Sequence, residues 1–273
     1  MIGWQLQLRQ PPPGDVDARF LGAAINGLSV EQILHQPLPL LGCRHPITIG
    51  DCFAAEFVGD DRVKLVGDFG RFHGLGYRWD GGELVIEGHV GRSVGRSMSG
   101  GSITVVGDAE AGAGEQMRGG RLNIGGNAGD DIGRPLPGRR SGMSGGRIVV
   151  AGDAGNCAGY RMRRGTIVIL GDCGIQVGCN QVAGTIAIGG RVAGNVAPAM
   201  RRGTVILSQP MELSTVRFTR PESCRLGIAR LIADDLRADA AAIAALLLKP
   251  IVRSLGDLSN GGTGEIWMPA CDR

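Results

Sequence analysis

The 273-residue chain can hold one large core or two small ones, and its 48 glycines stand well above the usual share of about 7%. Glycine does not recur at every third position, so the chain is no collagen, and a hydrophobic content of 43% excludes a disordered linker. The net charge of +3 hides an asymmetry: residues 88–203 hold fourteen Arg, no Lys and seven acids, giving +7, which leaves −4 for the rest.

In chain order, Trp4-Gln-Leu-Gln-Leu8 alternates as a strand does, and Pro11–Gly14 reads as a linker. Ser29-Val-Glu-Gln32 is a capping-box pattern that opens a short helix, stopped by Pro37. Pro46–Asp60 and Arg62–Asp68 read as irregular first coils of a repeat.

That repeat governs the middle of the chain. Apolar x-V-x-V runs end at Gly67, Gly88, Gly107, Gly126, Gly152, Gly171 and Gly190, at steps of 21, 19, 19, 26, 19 and 19 residues. Gly101-Ser-Ile-Thr-Val-Val-Gly-Asp108 and Gly165-Thr-Ile-Val-Ile-Leu-Gly-Asp172 are examples. The long step carries seven extra residues, in the segment Gly133-Arg-Pro-Leu-Pro-Gly-Arg-Arg-Ser-Gly142.

Three apolar columns persist. One is the alternating set Ile103/Val105, Leu122/Ile124, Ile148/Val150, Ile167/Ile169, Ile186/Ile188 and Val205/Leu207. The second runs Val94, Ala113, Ile132, Ala158, Val177, Val196, and the third Met98, Met117, Met143, Met162, Gln181, Met200. Three inward columns predict three short strands per unit, joined by glycine turns and stacked on their copies in adjacent units. The expected fold is therefore all-β: a right-handed parallel β-helix, a solenoid of about 19-residue coils.

Asp68, Asp108, Asn127, Asp153 and Asp172 share one column after the corner glycine, and such residues bond backbone in turns, so they read as structural. Beyond the repeat, Arg225–Lys249 has helical Ala/Leu spacing and is expected to fold over the open end as a cap. Three regions result: 1–59 (strand, linker, short helix, irregular coil), 60–208 (β-helix) and 209–273 (helical cap and tail).

Chemistry-bearing motifs are scarce. The seven cysteines (43, 52, 157, 173, 179, 224 and 271) form no CxxC, so no zinc or iron–sulfur ligand set is signalled. His35, His45, His73 and His89 pair with no nucleophile in the pattern, and each reads as a solvated or core histidine; His73 and His89 take Val/Ala-type and Asp-column positions. No signal-peptide pattern opens the sequence, and the longest apolar run, Ala240–Leu248, is too short for a bilayer, so a reducing cytoplasm is expected, without membrane contact.

The arginines are patterned. Arg118, Arg163/Arg164 and Arg201/Arg202 precede the strand starts, Arg139 and Arg140 lie in the insertion, and Arg96, Arg134 and Arg161 sit slightly earlier in their units. Stacking would gather them on one edge, where like charges repel unless something anionic offsets them. Alternatives are a solvated basic edge, salt bridges to a partner subunit, or Arg-favouring codon usage. With few aromatics along the stripe to stack bases, nucleic acid is not the expected partner.

Two stretches, Gly126-Asn-Ala-Gly-Asp-Asp-Ile-Gly133 and Gly152-Asp-Ala-Gly-Asn-Cys-Ala-Gly159, resemble a β-helix domain of two families. One is the C-terminal domain of glutamate synthase. The other is the C (gamma) subunit of formylmethanofuran dehydrogenase and its bacterial relative, the formyltransferase/hydrolase complex. The whole layout, insertion included, is more similar to the C subunit, over a repeat at about 60–208.

The resemblance implies a non-catalytic subunit in cytoplasmic one-carbon metabolism (formaldehyde oxidation to formate, the tetrahydromethanopterin pathway). It implies as partners an amidohydrolase-like A subunit, a B subunit and a formyltransferase D subunit. The shared cofactor would be a methanofuran/methylofuran-type carrier with a polyglutamate-like tail, and no metal is expected on this chain. From charge, the residues expected to meet that tail are Arg118, Arg139, Arg140, Arg163, Arg164, Arg201 and Arg202. Rival readings are a glutamate-synthase-like linker domain, or a stand-alone β-helix enzyme acting on a polysaccharide or acyl substrate; the latter would want acids or a histidine on one face.

Overall fold

The computed structural model describes residues 3–21, 28–42, 47–59 and 62–270. Among these, thirteen strands form one large sheet, and helices are few and short. Eight successive repeat strands stand parallel in chain order: Arg62–Val66, Glu83–Glu87, Ser102–Val105, Arg121–Ile124, Ser144–Val150, Arg164–Ile169, Thr185–Ile188 and Thr204–Leu207.

The register explains the sequence period. Val63, Leu84, Ile103, Leu122, Ile148, Ile167, Ile186 and Val205 are in line across the sheet, and Leu65, Ile86, Val105, Ile124, Val150, Ile169, Ile188 and Leu207 form a parallel line two residues on. All are buried. Each such side chain contributes about 1.5–3 kcal/mol when fully buried, and a shift by one residue would turn both lines to the opposite face.

The three-strands-per-unit expectation is corrected. Each unit has one regular strand. A second contact line, missed in the sequence, runs through single parallel bridges from Phe69 to Val90, Ala109, Ala128, Ala154 and Cys173, continued by a short pair, Cys173–Ile175 with Val192–Gly194. The Val and Met columns are buried as expected but lie outside the strands. The reason is backbone conformation: in the unit Cys157–Met162 (Cys-Ala-Gly-Tyr-Arg-Met), Cys157, Gly159 and Arg161 have φ of +60°, +75° and +52°. Left-handed residues at alternate positions cannot continue a strand.

Glycine is needed here on two grounds. At Gly114 (φ +65°) an added Cβ would lie 2.3 Å from Ile148 Cδ1, and at Gly119 it would lie 2.3 Å from the Ser99 carbonyl oxygen. The second clash is with the backbone of the preceding unit, so the close stacking of units itself excludes a side chain.

The Asp column is structural, but its bonds run between units. Asp108 accepts from the Asn127 N–H (2.6 Å), Asn127 from Asp153 (2.8 Å), Asp153 from Asp172 (2.7 Å) and Asp172 from Arg191 (2.7 Å). Only Asp68 in that column bonds within its own turn, accepting from Gly70 at 3.0 Å. His89 takes the next place in the column after Asp68 and is the first of it to bond across units: its Nδ1 accepts from the Asp108 N–H at 3.0 Å.

The ends differ from the irregular coils and helical cap expected. Trp4–Leu8 is a strand, parallel to Arg62–Val66, and Phe53–Phe57 pairs with it antiparallel, so Phe53–Phe57 is the edge strand of the sheet and Arg62–Val66 a regular repeat strand. The Val30–Leu34 helix has both capping-box bonds, Ser29 Oγ from Gln32 N–H (3.2 Å) and Gln32 Oε1 from Ser29 N–H (2.9 Å). Pro46, Asp60, His45, Cys43 and Cys271 lie outside the described residues.

At the far end, Gly264–Pro269 pairs parallel to Thr204–Leu207, followed by antiparallel Ile251–Gly256 and Glu222–Cys224. Strands, not helices, cover that edge, because only a strand can satisfy the open N–H and C=O groups of the last repeat. The helices Gly227–Leu236 and Ala241–Leu247 instead lie on the outer face of the sheet. Their Ala233, Leu236, Ile243 and Leu247 pack on an in-register line of Val149, Val168, Ala187, Ile206 and Trp267.

Candidate functional site: a basic cleft

The arginines divide into neutralised and free groups. Glu115, 2% exposed, is flanked by Arg96 (3.5 Å) and Arg134 (3.1 Å) from the units on either side, and Arg134 also meets Asp131 at 3.1 Å. Arg121 and Arg147 pair with Asp239 on the helix pair, and Arg147 also with Asp235. Burial alone would raise the Asp239 carboxyl, but hydrogen bonds from Arg121 and Arg147 outweigh it and hold the group below the usual carboxylate range. These arginines are structural.

None of the seven sequence-predicted arginines has an acidic partner within 4.0 Å among the described residues. All seven are exposed. The expected continuous ladder is corrected: the column following each buried Met or Gln reads Ser99, Arg118, Ser144, Arg163, Val182, Arg201, with each backbone N–H bonded to the preceding unit. Arg118, Arg163 and Arg201 are thus separated by a neutral residue, so they stand about 9.6 Å apart in strand spacing, which relieves the repulsion expected of neighbours.

Two of the seven come together. A cleft of about 360 Å³ is lined by Arg140, Arg161, Asn180, Val182 and Arg201. Arg140 arrives on the insertion, whose exit is pinned by the Gly142 N–H to the Arg161 carbonyl (3.0 Å). Arg161 is fixed by its own N–H on the Cys179 carbonyl (2.9 Å), and its guanidinium lies 5.2 Å from the Tyr160 ring centroid. Arg118, Arg139, Arg163, Arg164 and Arg202 do not line it. Asn180 and Val182 were missed in the sequence; the 19-residue step from Arg161 to Asn180 places both in one left-handed column.

Three guanidinium groups with no internal counter-charge, beside one amide, suit a ligand with several carboxylates or phosphates. Burial pushes the Cys173 thiol up to about 12, and it raises Cys157 as well, which makes these two thiols poor nucleophiles. Among the described residues no group of three or more His, Cys, Asp or Glu converges as a metal site. No described helix is long and apolar enough to cross a membrane.

No protein-family model and no curated protein sequence matches the chain. A solved structure does: the formyltransferase/hydrolase complex FhcABCD from Methylorubrum extorquens, in complex with methylofuran. The likeness has a TM-score of 0.85 and 33% identity, covering 97% of this chain and 99% of that one.

The chain belongs to the family of formyltransferase/hydrolase complex subunits. The likeness extends over nearly the whole of both chains.

Proposed function

We propose that this chain is the non-catalytic scaffold of a formyltransferase/hydrolase complex, and that its basic cleft helps hold the polyglutamate-like tail of a methylofuran-type carrier. The sheet and the bridge line would then be two faces of a right-handed parallel β-helix over 60–208, with 1–59 and 209–273 as its end regions. The single observation that carries the carrier role is the convergence of Arg140, Arg161 and Arg201, unpaired, in one cleft. It is supported by the relative, whose complex was solved with methylofuran bound. The A, B and D subunits would supply the chemistry, as the family resemblance implies.

The test is the triple variant Arg140→Ala/Arg161→Ala/Arg201→Ala, purified with its complex from the native host, with carrier content read by mass spectrometry. We expect carrier retention to fall roughly tenfold or more, the loss of two to three charge-assisted contacts, while far-UV circular dichroism stays unchanged. Unaltered carrier content would remove the cleft from the carrier path. A lone chain, with no partner subunits in the unsubstituted preparation, would sink the scaffold reading.

A further inference from the structure

The outer side of the C-terminal helix pair carries a second basic feature, unrelated to the cleft. A groove of about 530 Å³ is lined by Leu226, Leu247 and Leu248 together with Arg225, Arg230, Arg237 and Lys249. Lys249 is one of only two lysines in the chain. Arg225, Arg230 and Lys249 have no acidic partner among the described residues; the fourth cation, Arg237, is paired with Asp234. Leu248, in the lining, is 56% exposed, and Leu231 on the first helix of the pair is 65% exposed.

Helices of this kind ordinarily turn such leucines inward, and here the inward side is already filled by Val168, Ala187 and Ile206 of the sheet. The pair is also held from below by Arg121 and Arg147 on Asp239. The groove therefore combines leucine side chains with three cations that lack an internal counter-charge, which suits a protein segment carrying carboxylates. It has no aromatic side chain to stack a base.

We infer that this groove docks an acidic segment of another subunit of the complex, with an apolar side chain of that segment seated against Leu248 and its carboxylates on Arg225, Arg230 and Lys249. The inference rests on membership of the complex family and is independent of carrier binding. Charge complementarity selects the acidic partner, and the four-subunit assembly of the relative makes that partner a protein chain.

The experiment places a benzoylphenylalanine photocrosslinker at Leu248 in the complex purified from the native host, and sequences the crosslinked peptide. The expected product joins Leu248's position to a net-negative peptide of a different subunit. Reversing the lining charges, with Arg225→Glu/Arg230→Glu/Lys249→Glu, is expected to lower crosslinking roughly tenfold or more, equivalent to about 1.4 kcal/mol. Melting temperature should be unchanged, and Glu/Asp→Lys changes in the captured peptide should restore the crosslink. Capture of a second copy of this chain, of a neutral or basic peptide, or of nothing would overturn the proposal, as would a crosslink indifferent to charge reversal. Co-sedimentation of the chain with phosphatidylserine vesicles through these cations would also overturn it, in favour of a membrane surface. Carrier content of the same preparations reports separately on the cleft.

Discussion

Gln181 shows how one residue departs from a column. It takes the place of Met, is fully buried, and donates from Nε2 to the Gly184 carbonyl at 2.9 Å, while its Oε1 has no partner. A buried acceptor left unsatisfied costs about 1–3 kcal/mol, and its neighbours in line, Met162 and Met200, show that the site takes a thioether. Gln181→Met is expected to raise stability by about 1 kcal/mol, measured as a higher urea midpoint at unchanged slope. The position was conspicuous in the sequence as a break in the Met column, but nothing there showed that one end of its amide would lack a bond. The reverse holds at Arg161: its residue type was visible, but its role in the cleft depends on the insertion that brings Arg140 beside it.

The elements were read best where one physical rule acted alone. The alternating strands and the capping box at Ser29 follow from local chemistry, and both are present; the Asp column is present too, bonded through the repeat period. The error over the helix pair has an identifiable cause. The strands Ile148-Val-Val150, Ile167-Val-Ile169, Ile186-Ala-Ile188 and Val205-Ile-Leu207 lose the apolar–polar alternation kept by Ile103-Thr-Val105 and Leu122-Asn-Ile124. A strand apolar on both faces is covered on both faces, and that signal located the helices on the flank. Their attachment gives a test at this scale. Asp239 has only 3% of its side chain exposed and partners both Arg121 and Arg147. Asp239→Ala would leave Arg121 without its carboxylate and Arg147 with Asp235 alone, and is expected to cost about 2 kcal/mol. Hydrogen exchange should show helices Gly227–Leu236 and Ala241–Leu247 opening well before the sheet strands, and equal protection throughout would show the ion cluster to be dispensable.

For the whole molecule, the repeating middle must be closed at its last unit, and one buried carboxylate does much of this. Asp257, 2% exposed, accepts from the Ala199 N–H (3.0 Å) in the last unit, from Arg217 Nε (2.9 Å), and from the N–H and hydroxyl of Ser259 (3.0 and 2.5 Å). Burial raises its pKa, but bonds from Ser259, Ala199 and Arg217 prevail and set it at about 2 against 3.8. Because the folded value is depressed, the stabilisation is fully present above the unfolded pKa and disappears as pH falls through about 2. It amounts to about 2 kcal/mol. The expected result is a stability that declines between about pH 4 and pH 2 in the native chain, with a shallower decline in Asp257→Asn. Parallel slopes would assign the acid sensitivity to other carboxylates.

What the sequence by itself determined is the repeat: period, strand registers, buried columns and the glycines that let units stack. These are one-dimensional properties, since a unit meets mainly its copies one period away, and the period is written in the chain. Tertiary structure decided what depends on residues far apart in sequence: which arginines are neutralised by Glu115 or Asp239, which meet across the insertion, and where the helices lie. Charge pairing and flank packing act through space at a few ångströms, so no spacing along the chain could separate the structural arginines from those left free to bind.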